Sequence, residues 1–398
     1  MIKIALLGST GSIGVQTLEV AARHSERFEI VSLAAGKNVR AFFNQLEKFS
    51  PAVATLSAFP EEGRKKISTD EDGAFYLTAS GKKCRLYFGE DAFLKAIVKE
   101  ADVVVVALVG FIGVKAVLKA AEAGKKIALA NKESLVVGGE LVMNAVEKAG
   151  VELAPVDSEH SAIWQALGMN RRAPYKKIIL TASGGAFRDK KAEELKDVTA
   201  AEALKHPNWN MGGRITVDCA TMVNKGFEVI EAMRLYGAKA EQIEVVIHPQ
   251  SIIHSMVEFE DNAVLAQLSY PTMELPIQLA LCGERLSAAC KPLDFVQLKS
   301  LTFLPVDRQK YPCFFLTVDS VRMGDNYPCA LNAADEVAVA AFLRGDIRFT
   351  DIARVLKGVL DKTSRAKITS LGDLEREDAR ARMLAEKIIT EIHGTFIA

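Results

Sequence analysis

At 398 residues the chain is too long for one ordinary core and implies about two to three domains. Hydrophobic residues make up 49% and charged residues 25%, with no low-complexity tract, as in a globular protein. Lys+Arg and Asp+Glu both number 50, so there is no electrostatic footprint for nucleic acid or an anionic membrane, and any bound anion must be held locally.

Six cysteines (Cys84, Cys219, Cys282, Cys290, Cys313, Cys329) form no C-x-x-C pair, which reads as reduced thiols and predicts a cytoplasmic setting. The opening Met1-Ile2-Lys3-Ile4-Ala5-Leu6-Leu7 lacks the sections of a signal peptide. The longest uncharged apolar run, 103–114, is shorter than the roughly 20 residues that cross a bilayer, so no membrane partner is expected.

Along residues 1–150, apolar runs at 2–7, 30–35, 103–108 and 126–130 predict strands, alternating with helical patterns at 15–22 and 114–123. Such alternation implies parallel strands joined by helical crossovers, and Gly124 is placed to end the second helix. Residues 151–155 and 177–181 predict two further strands around a helix near 161–167. Runs at 245–248, 252–259 and 263–269 then suggest an open antiparallel sheet, with Asp261-Asn262 as a turn, of the kind that often supplies a dimer interface. Pro292, Pro305 and Pro312 punctuate a linker-like stretch, and 330–342, 351–360 and 374–392 read as helices with Thr350 and Asp373 as caps. The expected divisions are 1–150, 151–290, a linker at 291–311, and a helical domain at 312–398.

Gly8-Ser9-Thr10-Gly11-Ser12-Ile13-Gly14 directly follows the first strand and opens a helix. Glycines at this spacing permit a tight turn and the close approach of a pyrophosphate to N–H groups at a helix N-terminus, so the segment points to a dinucleotide. The second strand ends without the acid that would bind the 2′-hydroxyl of NAD. Gly36-Lys37-Asn38-Val39-Arg40 follows instead, which favours NADPH.

Ala130-Asn131-Lys132-Glu133-Ser134 sits at the carboxyl end of the fourth strand, where ligands gather, and Lys132 could polarise a substrate oxygen there or open a solvated helix. In Asp157-Ser158-Glu159-His160, an extended backbone would point both acids one way and let them share a hard cation, whereas a helix start would make them a cap. A third acid, Glu228, lies three residues after Lys225 on one helix face. Three such oxygens suit Mg²⁺ or Mn²⁺ with positions open to substrate. Ser183-Gly184-Gly185 with Asn224 and Lys225 could together cradle a phosphate, though for either segment alone a plain glycine turn is the better reading. The segment from His206 through Trp209 and Met211 to Gly212-Gly213 has the composition of a loop that closes over a ligand, and His248 and His254 read as structural.

Taken in order, GSTGSIG, AGKNV, LANKESLV, PVDSEH, SGGAF, HPNWNMGGRITVDCATMVNKGFE and HPQSIIHSMVEF resemble the successive blocks of the 1-deoxy-D-xylulose 5-phosphate reductoisomerase family, and the likeness extends to ALNAADEVAVAAFL. The resemblance implies an α/β fold with an N-terminal Rossmann-like NADPH domain, a central α+β catalytic domain with an open sheet, and a C-terminal helical domain. It implies a homodimer acting on a small phosphorylated substrate to give 2-C-methyl-D-erythritol 4-phosphate in the non-mevalonate isoprenoid pathway. A divalent cation (Mg²⁺, Mn²⁺ or Co²⁺) would be held by Asp157, Glu159 and Glu228, with Lys132 beside the substrate. Ser158, Ser183, His206, Cys219, Asn224 and Lys225 would bind the substrate, and Trp209 and Met211 would form a flap. Gly8, Thr10, Gly11, Ser12, Ile13, Gly36, Lys37, Asn38, Asn131, Glu133 and Gly212 would line the cofactor.

Some positions depart from the family pattern: Cys219 replaces a usual Ser, Gly213 a basic residue, Ala186 a Pro, and the 108–115 loop is unlike the usual small-residue one. Two competing readings are a phosphate-reducing semialdehyde dehydrogenase with Cys219 as nucleophile and a non-catalytic NADPH sensor.

Overall fold

A computed structural model of the chain describes residues 1–397 apart from 210 and 289. The chain divides into two compact units. Met1–Ser134, Val142–Ser161 and Thr272–Cys290 form the first, and Leu135–Leu141, Ala162–Pro271 and Lys291–Ala398 the second.

The first unit holds a nine-stranded sheet: β1 (Ile2–Leu7), β2 (Phe28–Ala35), β3 (Val53–Leu56), β4 (Ile67–Asp70), β5 (Gly73–Leu77), β6 (Lys83–Phe88), β7 (Val103–Val106), β8 (Lys126–Leu129) and β9 (Leu153–Pro155). Its order is β4-β5-β6-β3-β2-β1-β7-β8-β9, with β4-β5 and β5-β6 antiparallel and the other pairs parallel. All four valines of β7 are buried, as a parallel strand covered on both faces requires. The chain runs outward from β1 through β2 and β3, then returns to β7 on the other side of β1. This makes the carboxyl ends of β1 and β7 a topological switch point.

The second unit carries a five-stranded sheet of β10 (Lys177–Ala182), β11 (Ile243–Ile247), β12 (Ile253–Glu258), β13 (Val264–Leu268) and β14 (Leu304–Pro305), in the order β13-β12-β10-β11-β14. The sheet is mixed rather than antiparallel throughout, because β10 and β11 run parallel. Asn262 turns the β12–β13 hairpin in the left-handed region, at φ 64°. The proline-punctuated stretch contributes β14, and Pro305 is tolerated there because an edge strand need not donate on both sides.

The helices Tyr327–Arg344, Asp351–Asp361 and Leu371–Ile397 share one buried core, to which the first contributes the small side chains Ala330, Ala334, Ala338 and Ala341 and the others Val355, Leu356, Val359 and Ala385. Each fully buried Val or Leu there contributes about 1.5–3 kcal/mol. Thr350 makes no side-chain cap, contrary to expectation. At the last helix, the Ser370 hydroxyl accepts the Asp373 N–H at 3.2 Å and Asp373 accepts the Ser370 N–H at 2.9 Å, so Asp373 is the inner half of a capping box rather than the cap itself. No helix among the described residues is long and apolar enough to cross a membrane.

Candidate active site

The turn after β1 is built as the glycine spacing requires. Gly8 has φ +91°, and a Cβ on it would lie 2.2 Å from the Ala107 carbonyl oxygen; one on Gly14 would lie 2.2 Å from that of Gly8. Helix Ser12–Arg23 starts with Gly11 as its N-cap and no side-chain cap, so its first N–H groups remain available to an anion. Ser12 is exposed, and Thr10 and Ile13 are partly so. Gly36, Lys37 and Arg40 are exposed beyond the carboxyl end of β2, while Asn38 caps helix Val39–Phe49 by accepting the Ala41 N–H at 3.1 Å.

Beyond β8, Asn131 is buried and Lys132 Nζ stands 2.7 Å from Asp157 Oδ2, both side chains being mostly buried. Glu133 accepts the Gly110 N–H at 3.1 Å. Helix Ser158–Ala166 begins one residue after Asp157. The Asp157–Glu159 segment is therefore a helix start, not extended, and strand alternation does not align its acids. The Ser158 hydroxyl donates to the Glu159 carboxylate.

In the second unit, Ser183 leaves β10 into Gly184 and Gly185, with φ +79° and +69°. A Cβ on Gly185 would lie 2.4 Å from the Cys219 carbonyl oxygen, so this loop rests against the carboxyl end of helix Gly213–Thr221. His206 Nδ1 accepts the N–H groups of Asn208 and Trp209 at 3.2 and 3.0 Å, which puts the ring hydrogen on Nε2, 2.9 Å from Ser183 Oγ. Ser183 Oγ also accepts the Gly185 N–H at 3.1 Å, which leaves its own hydrogen to donate.

Trp209 meets His254 edge-on at 6.4 Å, and Met211 is partly exposed. Asn210, within the expected flap, lies outside the described residues. Gly212 is the N-cap of helix Gly213–Thr221, accepting from Thr216.

Helix Val223–Tyr236 brings Asn224, Lys225 and Glu228 together. Lys225 pairs with Glu228, and Asn224 Nδ2 donates to Glu228 Oε1 at 2.6 Å. Glu228 is 1% exposed, and these partners offset the cost of burying its carboxylate.

The two structural histidines behave as expected. His248 accepts the Ile252 N–H and donates to Thr302 O, and burial lowers its pKa; His254 bonds Ser269.

Sequence reasoning missed the braces. Tyr311 donates to Gly184 O at 3.1 Å, Lys310 to the carbonyls of Arg188 and Lys190, and Asn208 to Pro249 O and to Ser251 Oγ at 2.7 Å. Asn208 could have been noticed inside HPNWN, whereas nothing in the local pattern marks Tyr311 or Lys310.

The profile of the 1-deoxy-D-xylulose 5-phosphate reductoisomerase family matches residues 4–139, and profiles of the C-terminal domains of that enzyme match residues 153–236 and 268–384. The chain is 46% identical over 389 residues to the 1-deoxy-D-xylulose 5-phosphate reductoisomerase of Geobacillus kaustophilus, spanning 97% of this chain and 99% of that protein. It is 46% identical over 394 residues to that of Chlorobaculum tepidum, spanning 98% and 100%. The Zymomonas mobilis reductoisomerase solved in complex with NADPH has a TM-score of 0.88 at 38% identity, with 98% of this chain and 99% of that one covered. A DOX-P reductoisomerase solved with NADPH, fosmidomycin and magnesium has a TM-score of 0.91 at 38% identity and the same coverage.

Proposed function

Because the chain belongs to the 1-deoxy-D-xylulose 5-phosphate reductoisomerase family, we propose that it converts 1-deoxy-D-xylulose 5-phosphate to 2-C-methyl-D-erythritol 4-phosphate in the non-mevalonate isoprenoid pathway, using NADPH and a divalent cation. Within the protein, the observation that carries the reading is the buried Asn224–Lys225–Glu228 cluster, which sets a buried carboxylate against an amide and an ammonium. The cation is assigned to Asp157, Glu159 and Glu228. Carboxylate oxygens are hard donors, a set that fits Mg²⁺, Mn²⁺ or Co²⁺ rather than a thiolate-seeking metal.

When bound, the cation supplies a Lewis acid for the ketone and neighbouring hydroxyl oxygens of the substrate, and NADPH supplies the hydride. Lys132 donates to a substrate oxygen, and Ser158, Asn224 and Lys225 hold hydroxyl or phosphate oxygens. Ser183, oriented by His206 and acting through its remaining hydrogen, completes the phosphate contacts with Cys219. A retro-aldol and aldol sequence and an α-ketol shift both develop negative charge on the same oxygens, so these donors serve either route. Trp209 and Met211 exclude water from the bound aldehyde. Gly8 to Ile13 take the pyrophosphate, and Lys37 and Arg40 the 2′-phosphate. Cys219 lies at the carboxyl end of its helix, the negative end of the dipole, an unsuitable seat for a nucleophilic thiolate.

We assign the working form as a cytoplasmic homodimer. Val264 and Leu265 on edge strand β13 are 47% and 52% exposed, apolar surface that a second copy would cover. Cys84, Cys313 and Cys329 are buried thiols, suited to a reducing compartment. The deciding assay follows NADPH absorbance with the phosphorylated ketose, with and without chelator. Oxidation that proceeds without the ketose, or that survives the chelator, would refute the assignment.

A further inference from the structure

The dinucleotide crevice has a wall that the motifs do not explain. With a pyrophosphate at the Gly11 helix start and the adenosine end over β2, where Lys37 and Arg40 stand, the nicotinamide end must run over the other neighbour of β1, which is β7. The segment leaving β7, residues 107–113, which runs from a loop into the first turn of helix Ile112–Glu122, carries exposed apolar side chains: Val109 is 73% and Ile112 38% exposed. Flexible loops seldom hold such groups in place, yet this one is clamped. Asn131 Nδ2 donates to Leu108 O and Gly110 O, each at 3.1 Å, and to Glu133 Oε2 at 2.7 Å. Glu133 in turn accepts the Gly110 N–H. Asn131 Oδ1 accepts both the N–H and the hydroxyl of Ser134.

An amide side chain has two hydrogens and two lone pairs. Asn131 spends its hydrogens on three acceptors and its lone pairs on two donors, and it is 1% exposed. It has no bonding capacity left for a cofactor. Gly113 completes the clamp, since a Cβ there would lie 1.8 Å from Asn131 Oδ1.

We infer that Asn131 and Glu133 are positioning residues that hold segment 107–113 as a rigid apolar shelf, with Val109 presented to the nicotinamide end of NADPH. This rests on the NADPH reading above and departs from a direct cofactor contact by the Asn131 side chain. The shelf covers one side of the ring and keeps water from it, while the clamp prevents the loop from relaxing away when the cofactor leaves.

The test titrates the full-length protein with NADPH and with 2′-phospho-ADP-ribose, which lacks the nicotinamide. Val109→Asp is a surface change and should keep the melting temperature; it should weaken NADPH about tenfold and leave 2′-phospho-ADP-ribose unchanged. Asn131→Ala should weaken NADPH by a similar factor. The double variant should be no more than about twofold weaker than the weaker single one, because an unclamped loop no longer presents position 109. Multiplying effects would mean that Asn131 touches NADPH itself, and wild-type affinity in Val109→Asp would remove the shelf; either result overturns the inference. If Asn131→Ala fails to fold, the two Val109→Asp titrations still decide whether the shelf exists. A wild-type protein that binds neither ligand would instead overturn the NADPH reading beneath it.

Discussion

Lys132 and Asp157 form an ion pair of 2.7 Å in which the side chains are only 12% and 16% exposed, so an ammonium already sits on a carboxylate assigned to the cation. A divalent ion must share or displace it. A hydrogen bond to a charged group contributes about 1.5–3 kcal/mol, and displacing one should weaken metal binding roughly tenfold. Lys132→Met should therefore bind Mn²⁺ about tenfold more tightly in a spectroscopic titration while losing most of its kcat. Unchanged Mn²⁺ affinity would mean that the ammonium and the metal use different lone pairs.

Glu159 accepts the Ser158 hydroxyl and stands in the first turn of its helix. Glu159→Gln keeps the shape and removes the charge. The expected loss is at least about a hundredfold in kcat/KM, in the range seen when one electrostatic contact to a developing charge is removed. NADPH affinity should change less than about twofold. Full turnover in this variant, or in excess chelator, would sink the cation assignment.

Much of the candidate site's geometry was legible because it is local. The turn at Gly8 to Gly14 follows from spacing alone, and Lys225 and Glu228 meet because three residues on a helix bring side chains to one face. The strands β3 to β6 escaped notice. β3 is only four residues long, and β4 to β6 carry exposed and charged side chains such as Lys83 and Arg85 that blur the apolar pattern. The extended reading of Asp157 and Glu159 failed because the helix starts at Ser158, earlier than its apolar residues suggest. Braces such as Tyr311 to Gly184 join residues 127 apart, a separation that no local pattern encodes.

The exposed cations Lys37 and Arg40, at the end of a strand with no acid, predict NADPH over NADH. Lys37→Ala combined with Arg40→Ala should narrow the ratio of kcat/KM between the two cofactors by at least about tenfold. A wild-type protein that uses both equally would show these to be ordinary surface charges.

Asp335 is fully buried in a charged cluster with Arg214, Asp218 and Glu336, and Arg214 binds Glu336 at 2.8 Å and Asn332 at 2.9 Å. Burial pushes the Asp335 carboxyl up to about 6, with Glu336 adding to the rise and Arg214 opposing it. Between the usual carboxylate range near about 4 and about 6, the folded chain keeps a proton that the unfolded chain has lost, so stability falls as pH rises through that window. Asp335→Asn removes the titration. Its melting temperature should match the wild type near about pH 4 and exceed it near about pH 8. A difference that does not vary with pH would mean that the proton is not held on Asp335.

Cys219 stands at the carboxyl end of helix Gly213–Thr221, and its carbonyl lies where a side chain on Gly185 would otherwise fit, so the Ser183 loop packs directly upon it. In that loop Ser183 Oγ already accepts from Gly185 and His206 and has one hydrogen left to donate, which makes every further donor to a phosphate count. A thiol donates more weakly than a hydroxyl, and its larger sulfur sits farther from a phosphate oxygen. A bond to a charged group contributes about 1.5–3 kcal/mol, of which water or a neighbouring N–H can replace part, so the net deficit should be about 1 kcal/mol. Cys219→Ser should then lower KM for the phosphorylated ketose roughly fivefold. The change in kcat should be smaller, because a phosphate contact persists from ground state to transition state. Steady-state kinetics on the two proteins check this, and an unchanged or raised KM would mean that the pocket is shaped around sulfur or that Cys219 faces away from the phosphate.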